Sequence, residues 1–421
     1  MIRFMHLADI HLDTPFKGLK QSHPQLQQKL VEASKDALYR AVSIAIKQAL
    51  DFVIIVGDVY DASKYSVSAR HFFYQQLERL EAANIPLILC HGNHDFISPD
   101  HAMPSYPTNV HVFPSESVTT FELNTRQGEK VTFNGFSYRS KWIKEDKIAQ
   151  YPLKSQTSSY TIGLLHGQVT TSGQDNAYAP FTIQALEEKA YDYWALGHVH
   201  AGSRMGSRGN IIYPGSLQGK SSKETGDKGA YVVSLGQGDG MTIDFISLAP
   251  FRWEAASIQC QRDWDEIQLV KEVQTVLNNY DQESIGTNQT YLVKIVLSDF
   301  QVLSPDLQDK LMDGQVYDYI QEQASPEGQA YLVDFAYEIG AIKDTFAYDQ
   351  ILDQSYRASF KNLQESDKLK QVLDLSNSSG TMKALVDQVL RDEEGKKALF
   401  DQASLLINQR LGLLEEVSNE N

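Results

Sequence analysis

The chain has 421 residues, of which 42% are hydrophobic and 22% are charged, and its formal net charge is −16 at pH 7. This length exceeds what one hydrophobic core usually organises, and the absence of any apolar run of 18 or more residues argues against a membrane protein. Only two cysteines are present, Cys90 and Cys260, so we expect no disulfide framework and a cytoplasmic protein.

The negative charge is concentrated in the last part of the chain. Residues 1–250 contain 23 Lys and Arg against 24 Asp and Glu, whereas residues 251–421 contain 15 against 30. Two bound divalent cations would make the first part positive, so the net charge does not exclude a nucleic-acid substrate. The acidic surplus after residue 250 serves either solubility or the docking of a basic protein partner.

Residues 1–250 alternate between segments typical of strands and of helices. The predicted opening is a βαβαβ arrangement with the segments Ile2–Ala8, Gln25–Leu50, Phe52–Val56, Ser66–Asn84 and Pro86–Cys90. Continuous apolar runs in the second and third strands indicate a parallel sheet that is covered by helices. Later predicted strands are Val131–Tyr138, Thr161–Leu165, Tyr193–Leu196, Ala230–Leu235 and Met241–Leu248. The last two form an antiparallel hairpin, and the whole predicts an α/β fold, a two-sheet sandwich with helices on the outside.

The pattern changes after Pro250. Strands are predicted at Trp253–Cys260, Tyr291–Leu297 and Ala330–Tyr337, and helices at Asp265–Asn279 and Asp306–Gln323. This is a small α+β domain, and the polar, amphipathic sequence beyond it predicts a helical region. We therefore expect three domains, at residues 1–250, 251–341 and 342–421.

Five short polar motifs follow apolar runs within the first 200 residues. They are Asp9-Ile10-His11, Gly57-Asp58-Val59-Tyr60-Asp61, Gly92-Asn93-His94-Asp95, His166-Gly167 and Gly197-His198-Val199-His200. In an open parallel sheet, ligands bind beyond the carboxyl ends of the strands. We therefore expect all five motifs to converge on one cleft.

The residue types in these motifs suit a pair of divalent metal ions. Carboxylate, amide and imidazole groups without a thiolate favour Mn, Fe or Zn over a soft metal or calcium. Asp58 can bridge two ions, which together can activate a water molecule and hold a phosphoryl oxygen. A structural role for these groups is the alternative, but five of the 11 histidines fall in the motifs, each at the end of a predicted strand.

In this order the motifs resemble the signature of the calcineurin-like metallophosphoesterase superfamily, over residues 1 to about 220. The resemblance implies that one metal is held by Asp9, His11, Asp58 and His200, and the second by Asp58, Asn93, His166 and His198. It also implies that His94 stands beside the scissile phosphate, where it stabilises the transition state or protonates the leaving oxygen. Asp95 would then orient His94.

Within the superfamily, the chain is similar to the SbcD-type DNA exonuclease branch and, in that branch, to YhaO-like bacterial proteins. The core begins almost at residue 1, the loop Tyr213-Pro214-Gly215-Ser216-Leu217 follows the last motif, and an α+β segment precedes a helical tail. The resemblance implies a Mn-dependent DNA nuclease in repair or end processing, with a DNA-capping domain at 251–341. It implies that residues 342–421 dock an SbcC-like coiled-coil ATPase, or else dimerise or pack on their own chain.

The sequence indicates the residues that contact substrate less clearly than it indicates the metal ligands. Asp61 stands where some relatives carry a histidine, so a second catalytic histidine is not carried over. Asp61, Tyr213 and Ser216 are weak substrate-binding candidates. Basic residues that can contact phosphate are Lys17, Lys20, Arg139, Lys141, Lys144, Lys220, Lys223 and Lys228, with solvated surface charge as the alternative.

Other functions are compatible with part of this pattern. Ala62-Ser63 and Asp95 differ from the Arg-Gly and Glu that protein phosphatases of the superfamily carry. A small-molecule or nucleotide phosphodiesterase would share the metal core and remains the alternative enzyme. A non-enzymatic scaffold predicts a missing ligand, and none is missing.

Overall fold

The computed structural model describes residues 1–17, 19, 24–61, 66–98, 105–170, 178–236, 240–323, 328–339 and 358–359. Our predictions for Lys20 and Ala62-Ser63 lie outside these residues, as does nearly all of the predicted helical region. The chain divides into two compact units. The first comprises Met1–Glu254, Tyr280–Val293 and Gly328–Val333, and the second comprises Ala255–Asn279, Lys294–Glu327 and Asp334–Asn421.

The first unit contains most of the regular structure, and its βαβαβ opening confirms the prediction. Its elements are β1 (Ile2–Ala8), α1 (Pro24–Lys47), β2 (Phe52–Val56), α2 (Val67–Ala82), β3 (Leu87–Cys90), β4 (Val110–Val112), β5 (Thr119–Asn124), β6 (Lys130–Gly135), β7 (Tyr160–His166), α3 (Ile183–Glu188), β8 (Tyr193–Gly197), β9 (Ser203–Met205), β10 (Ile211–Tyr213), β11 (Gly229–Gly236) and β12 (Gly240–Ser247).

These strands form two six-stranded sheets. The first has the order β12-β11-β1-β2-β3-β4 and the second β5-β6-β7-β8-β10-β9. β1, β2 and β3 are parallel, whereas β11 pairs antiparallel with β1 on its other side, with Ile2 opposite Leu235. The predicted hairpin of β11 and β12 is confirmed.

The two sheets pack face to face, with helices on both outer surfaces. Side chains alternate along β1, so Phe4 and Ala8 lie in the core between the sheets while Met5 and Leu7 pack with α1 and α2. On the outer face of the second sheet, Leu186 of α3 packs with residues of β7, β8 and β10. The predicted two-sheet sandwich with outer helices is therefore confirmed.

The edges of the sandwich differ from the prediction. β4, β5, β9 and β10 were not predicted, and the first three of these are edge strands of their sheets. The predicted strand Val131–Tyr138 ends at Gly135. Beyond it, the Tyr138 N–H donates to the carbonyl of His91, 3.1 Å away, and the Tyr138 carbonyl accepts from Ile97 at 2.8 Å. This segment thereby fixes the loop that carries Asn93 and His94.

The remaining elements are β13 (Phe251–Gln259), α4 (Glu266–Thr287), β14 (Thr290–Ser298), α5 (Pro305–Met312), α6 (Gln315–Gln323) and β15 (Ala330–Tyr337), with the sheet order β13-β14-β15. The three predicted strands are confirmed. The predicted continuous helix Asp306–Gln323 is wrong, because Gly314 has a φ of +83° and separates α5 from α6. Among the described helices we find none with the length and apolar character that a bilayer crossing requires.

Candidate metal centre

The five motifs meet at one end of the sandwich, as their positions after strands predicted. Asp9, Asp58 and Asn93 follow β1, β2 and β3 of the first sheet, whereas His166 ends β7 and His198 follows β8 of the second. The structure gathers two groups of side chains that are able to hold metal ions: Asp9, His11 and His200, and Asp58, His166 and His198. Within each group the ligand atoms lie within 4.8 Å of one another.

Four of these residues adopt a left-handed backbone conformation that non-glycine residues rarely take. The φ angles are +49° for Asp9, +48° for His11, +53° for Asp58 and +101° for His198. Such conformations cost about 1–3 kcal/mol each and persist only where surrounding contacts impose them. Here the His198 N–H donates to the Asp9 carboxylate at 3.0 Å, and the His11 N–H donates to the Asp58 carbonyl at 3.0 Å.

Glycines beside the ligands let the two sheets approach closely. A Cβ atom added to Gly57, whose φ is +74°, would overlap the His166 ring. A Cβ added to Gly92 would overlap the Asp58 carboxylate and lie 2.7 Å from His166 Nε2. The ligand geometry therefore requires glycine at both positions.

In the first group, the ring of His200 is oriented by a carboxylate that the sequence did not reveal. Glu224 Oε2 lies 3.2 Å from His200 Nδ1, and Ser216 Oγ donates to the same carboxylate at 2.8 Å. This contact holds the proton on Nδ1, so the lone pair is on Nε2. His200 Nε2 then faces His11 Nε2 at 3.2 Å.

In the second group, a backbone carbonyl sets the His166 ring. Nδ1 donates to the Val56 carbonyl at 3.0 Å, so Nε2 points to the Asn93 Oδ1 at 3.0 Å and to Asp58 Oδ2 at 3.3 Å. His198 Nδ1 faces the same Asn93 oxygen at 3.0 Å. Asp58 Oδ2 also lies 3.9 Å from His11 Nε2, which sets this carboxylate between the two groups.

The electrostatics of the site favour a positive charge near Asp58. Burial by itself raises the pKa of Asp58, but attraction to His166 outweighs it and holds that pKa below its usual range. Burial likewise lowers the pKa of His166, yet Asp58 raises it to about 9. Positive charge is therefore stabilised here, whether a proton on His166 or a bound cation carries it.

These observations fit a pair of divalent metal ions. Lone pairs of His166, His198 and Asn93 converge on one point, and those of His11 and His200 on another, with carboxylates at both. Acceptors that face one another at about 3 Å need a cation or a proton between them. Buried carboxylate and imidazole groups are the ligand set that Mn, Fe and Zn share.

His94 is not among the grouped ligands, and its ring, like part of the His200 ring, is open to solvent. Its side chain is 41% exposed, and it lies edge to face with His11 at 5.3 Å between ring centroids. Its backbone N–H donates to Asp58 Oδ1 at 2.9 Å, and its Nδ1 lies 3.8 Å from Asp61 Oδ1. The carboxylate of Asp61 is therefore next to the His94 ring.

Asp95 takes a different position from the one we expected. Its buried carboxylate accepts from the backbone N–H groups of Gly92, Asp58 and Val59 at 2.6, 3.1 and 2.9 Å, and it lies 3.4 Å from His91 Nδ1. These contacts tie the loop after β2 to the loop after β3. In this structure Asp95 thus positions the ligand loops, and Asp61 is the acid beside His94.

The weaker substrate-binding candidates divide by burial. Tyr213, Ser216, Lys220 and Lys228 are buried, whereas the other described basic candidates are exposed: Lys17, Arg139, Lys141, Lys144 and Lys223. The Tyr213 hydroxyl donates to the Gly167 carbonyl at 2.5 Å, and Ser216 is bound to Glu224, so both support the walls of the site. Lys228 Nζ donates to the His200 carbonyl at 2.9 Å, and Lys220 Nζ lies 4.8 Å from the Phe16 ring centroid. Burial lowers the pKa of Lys220 to about 8.

The proteins that are similar to this chain include phosphoesterases, which agrees with the geometry of the site. The sequence profile of the calcineurin-like phosphoesterase family matches residues 2–202. The uncharacterized metallophosphoesterase YhaO of Bacillus subtilis is 26% identical over 416 residues, which covers 98% of this chain and 99% of that protein. The DNA double-strand break repair protein Mre11 of Archaeoglobus fulgidus is 28% identical over 68% of this chain and 67% of its own length.

One further relative and one solved structure are similar over part of the chain. One subunit of the nuclease SbcCD of Staphylococcus epidermidis is 24% identical over 60% of this chain and 71% of its own length. A solved structure of a dimetal phosphatase from Danio rerio covers 58% of this chain and 95% of its own, at 13% identity and a TM-score of 0.38. By the match of the sequence profile, residues 2–202 form a calcineurin-like phosphoesterase domain, which is the domain of a hydrolase.

Proposed function

We propose that this protein is a nuclease that hydrolyses phosphodiester bonds of DNA. The observation that carries the proposal is the position of Asp58 between two groups of metal ligands, with the exposed ring of His94 beside it. Relatives that are named as a DNA double-strand break repair protein and as part of a nuclease support DNA as the substrate. Of the metals that accept these ligands, we propose Mn²⁺.

The proposed roles follow from the contacts of each side chain. Asp9, His11 and His200 hold one cation and Asn93, His166 and His198 the other, with Asp58 shared. When bound, two such cations supply an activated water and neutralise charge on the phosphoryl oxygens. The open ring of His94 hydrogen-bonds a phosphoryl oxygen or protonates the leaving oxygen, and Asp61 orients that ring. The backbone N–H of His94 donates to the Asp58 carboxylate, so the position of the His94 ring is coupled to that of this proposed ligand.

The remaining parts of the chain have proposed roles of their own. We propose that residues 1–250 are the nuclease domain, that residues 251–341 contact DNA, and that residues 342–421 dock an SbcC-like coiled-coil ATPase in DNA repair or end processing in the cytoplasm. The order of the segments along the chain supports this assignment. Deleting residues 342–421 should then remove the ATPase from the proteins that copurify with the chain, and an unchanged set would contradict docking.

The first test separates chemistry from metal binding. We expect the purified protein with Mn²⁺ to cleave end-labelled single- or double-stranded DNA and the chromogenic diester bis-p-nitrophenyl phosphate. His94→Ala should lower turnover at least about 100-fold with unchanged metal content, because it removes only the proton donor. Asp58→Ala should lose bound metal. His71→Ala, which removes an exposed histidine on α2, is the matched control and should behave as the parent protein.

The two substrates distinguish the proposal from its alternative. Cleavage of the diester but not of DNA, with or without the ATPase partner, would move the function to a small phosphodiester. Full activity of His94→Ala on both substrates would contradict the role of the His94 ring.

A further inference from the structure

An exposed tryptophan lies close to the metal centre. Trp142 is in the loop between β6 and β7 and is 51% exposed, whereas Trp194 and Trp253 are buried. Its indole stacks on the Tyr178 ring, with 4.4 Å between centroids and 18° between planes. Tyr178 in turn contacts the ring of the metal ligand His198 at 4.7 Å. These three residues form an aromatic row that leads from solvent to the site.

The exposed indole is held in a fixed position. The next residue, Ile143, is only 4% exposed and belongs to the core on the outer face of the second sheet. The Ile143 carbonyl accepts from the Ala179 N–H at 2.7 Å, and the Tyr178 carbonyl accepts from the Gln168 N–H at 2.8 Å. A ring that is already ordered loses little conformational entropy when a flat ligand covers it.

The indole is only partly covered by its neighbours. Tyr178 stacks on one face, and 51% of the surface of Trp142 is exposed. The same loop carries the exposed cations Arg139, Lys141 and Lys144, and Lys141 Nζ lies over the indole ring, 5.8 Å from its centroid. Glu145 and Asp146 are also exposed in this loop, but Glu145 is paired with Lys147. An aromatic plane beside cations suits a ligand that combines flat rings with phosphates.

We propose that the exposed indole of Trp142 stacks, on the side away from Tyr178, on an unpaired nucleobase of the DNA whose phosphate lies at the metal centre, a proposal that rests on the nuclease function above. Stacking on an aromatic side chain tolerates every base, because each base has a π face. Inside a duplex, neighbouring base pairs cover both faces of a base. The aromatic row therefore selects a single strand or a frayed end near the scissile bond.

The test measures binding without turnover. In the His94→Ala background with Mn²⁺, we would measure the Kd of a labelled single-stranded oligonucleotide and of a matched oligonucleotide with abasic sites near its end. Trp142→Ala should weaken binding of the first at least about fivefold, but not of the second. Trp142→Phe should restore most of the affinity, and DNA should quench the fluorescence of the parent more than that of the variants. Tyr39→Ala removes an exposed aromatic that contacts Arg79 and serves as the control.

The outcomes separate this proposal from the proposed function. Equal Kd values with and without Trp142, or an equal loss on both oligonucleotides, would overturn the stacking role even if DNA is cleaved. Absence of DNA cleavage by the wild-type protein would overturn the nuclease function, while the binding measurement, which needs no turnover, still decides whether Trp142 stacks on bases. Unchanged melting temperatures of the Trp142 variants would exclude unfolding as the cause.

Discussion

Two histidines of the metal centre are oriented by different kinds of acceptor. His166 donates to the Val56 carbonyl, whereas His200 faces the carboxylate of Glu224. Burial raises the pKa of Glu224, but the hydrogen bond with His200 and the attraction to it, together with hydrogen bonds from Ser216 and the Lys220 N–H, outweigh burial and lower that pKa to about 2, so the group is ionised at neutral pH. A negatively charged partner makes an imidazole a better metal ligand than a carbonyl does. We therefore expect Glu224, which is not itself a ligand, to influence metal binding by Asp9, His11 and His200 more than the other residues around them do.

Glu224→Gln should weaken Mn²⁺ binding at least about tenfold, because the amide keeps the size of the side chain but removes its charge. Equilibrium dialysis or calorimetric titration of the purified protein measures this affinity. Asp227→Asn is the matched control in the same loop, since Asp227 is paired with Arg252. Equal losses in the two variants would show that the Glu224 carboxylate has no special role.

That the proposed ligands come together could be predicted from the sequence, whereas the positions of Glu224 and Trp142 could not. Asp58, Asn93 and His166 each terminate an apolar run, and a parallel sheet brings such ends together. Glu224 lies in a polar loop with no periodicity, and its proximity to His200 depends on how that loop returns to the site. The left-handed conformations of Asp9 and His11 could not be predicted from the sequence either, because neither residue is a glycine.

At the scale of elements, the glycine after β2 determines how closely β7 approaches. Gly57 ends the strand with a φ of +74°, and a Cβ there would meet both the His166 ring and the backbone of Gly92. Gly128 has a similar φ of +81°, yet a Cβ there would meet nothing within 4 Å. Comparing Gly57 with Gly128 therefore distinguishes the cost of the left-handed backbone conformation from the cost of steric overlap.

Gly57→Ala should lower the free energy of unfolding by more than Gly128→Ala. We expect about 1–2 kcal/mol for Gly128→Ala from the left-handed conformation alone, and at least about 2 kcal/mol more for Gly57→Ala from the overlap. Urea denaturation of the two variants measures the difference. Equal losses of unfolding free energy in the two variants would mean that His166 moves aside at no cost.

Elements with strong apolar runs were predictable, and so was the edge strand β12 through its hairpin with β11, whereas the edge strands β4 and β5 were not. β2 and β3 are buried along their whole length, so each appears as an unbroken apolar segment. β5 alternates half-buried and exposed positions, and β4 is only three residues long, so neither differs clearly from a loop. The division between α5 and α6 at Gly314 was missed because the apolar positions continue across it.

At the scale of the whole molecule, the proposed metal ligands come from two sheets. Asp58 and Asn93 come from the first sheet and His166 and His198 from the second, so a cation held by them would link both halves of the sandwich. A ligand that binds only the folded state stabilises it by mass action. Metal occupancy should therefore determine the stability of the first unit.

Mn²⁺ at 100 times its Kd should stabilise the protein by about 2.7 kcal/mol. For a unit of this size the unfolding transition should rise by roughly 5–10 °C relative to protein in a chelator. Scanning calorimetry measures this shift, and Asp58→Ala should abolish it. The same shift in Asp58→Ala would locate the stabilising metal elsewhere.

The pairing of β1 with β11 has a consequence for biosynthesis. β1 is a central strand, and Ile2 pairs with Leu235 near the opposite end of the first unit. At the usual rate of ribosomal synthesis, well over 100 residues must be added after β2 before β11 emerges, which takes roughly ten seconds or more. Throughout this interval one hydrogen-bonding edge of an apolar strand has no partner, and such an edge is prone to aggregate. We therefore expect this edge of β1 to stay exposed until β11 has emerged and paired with it.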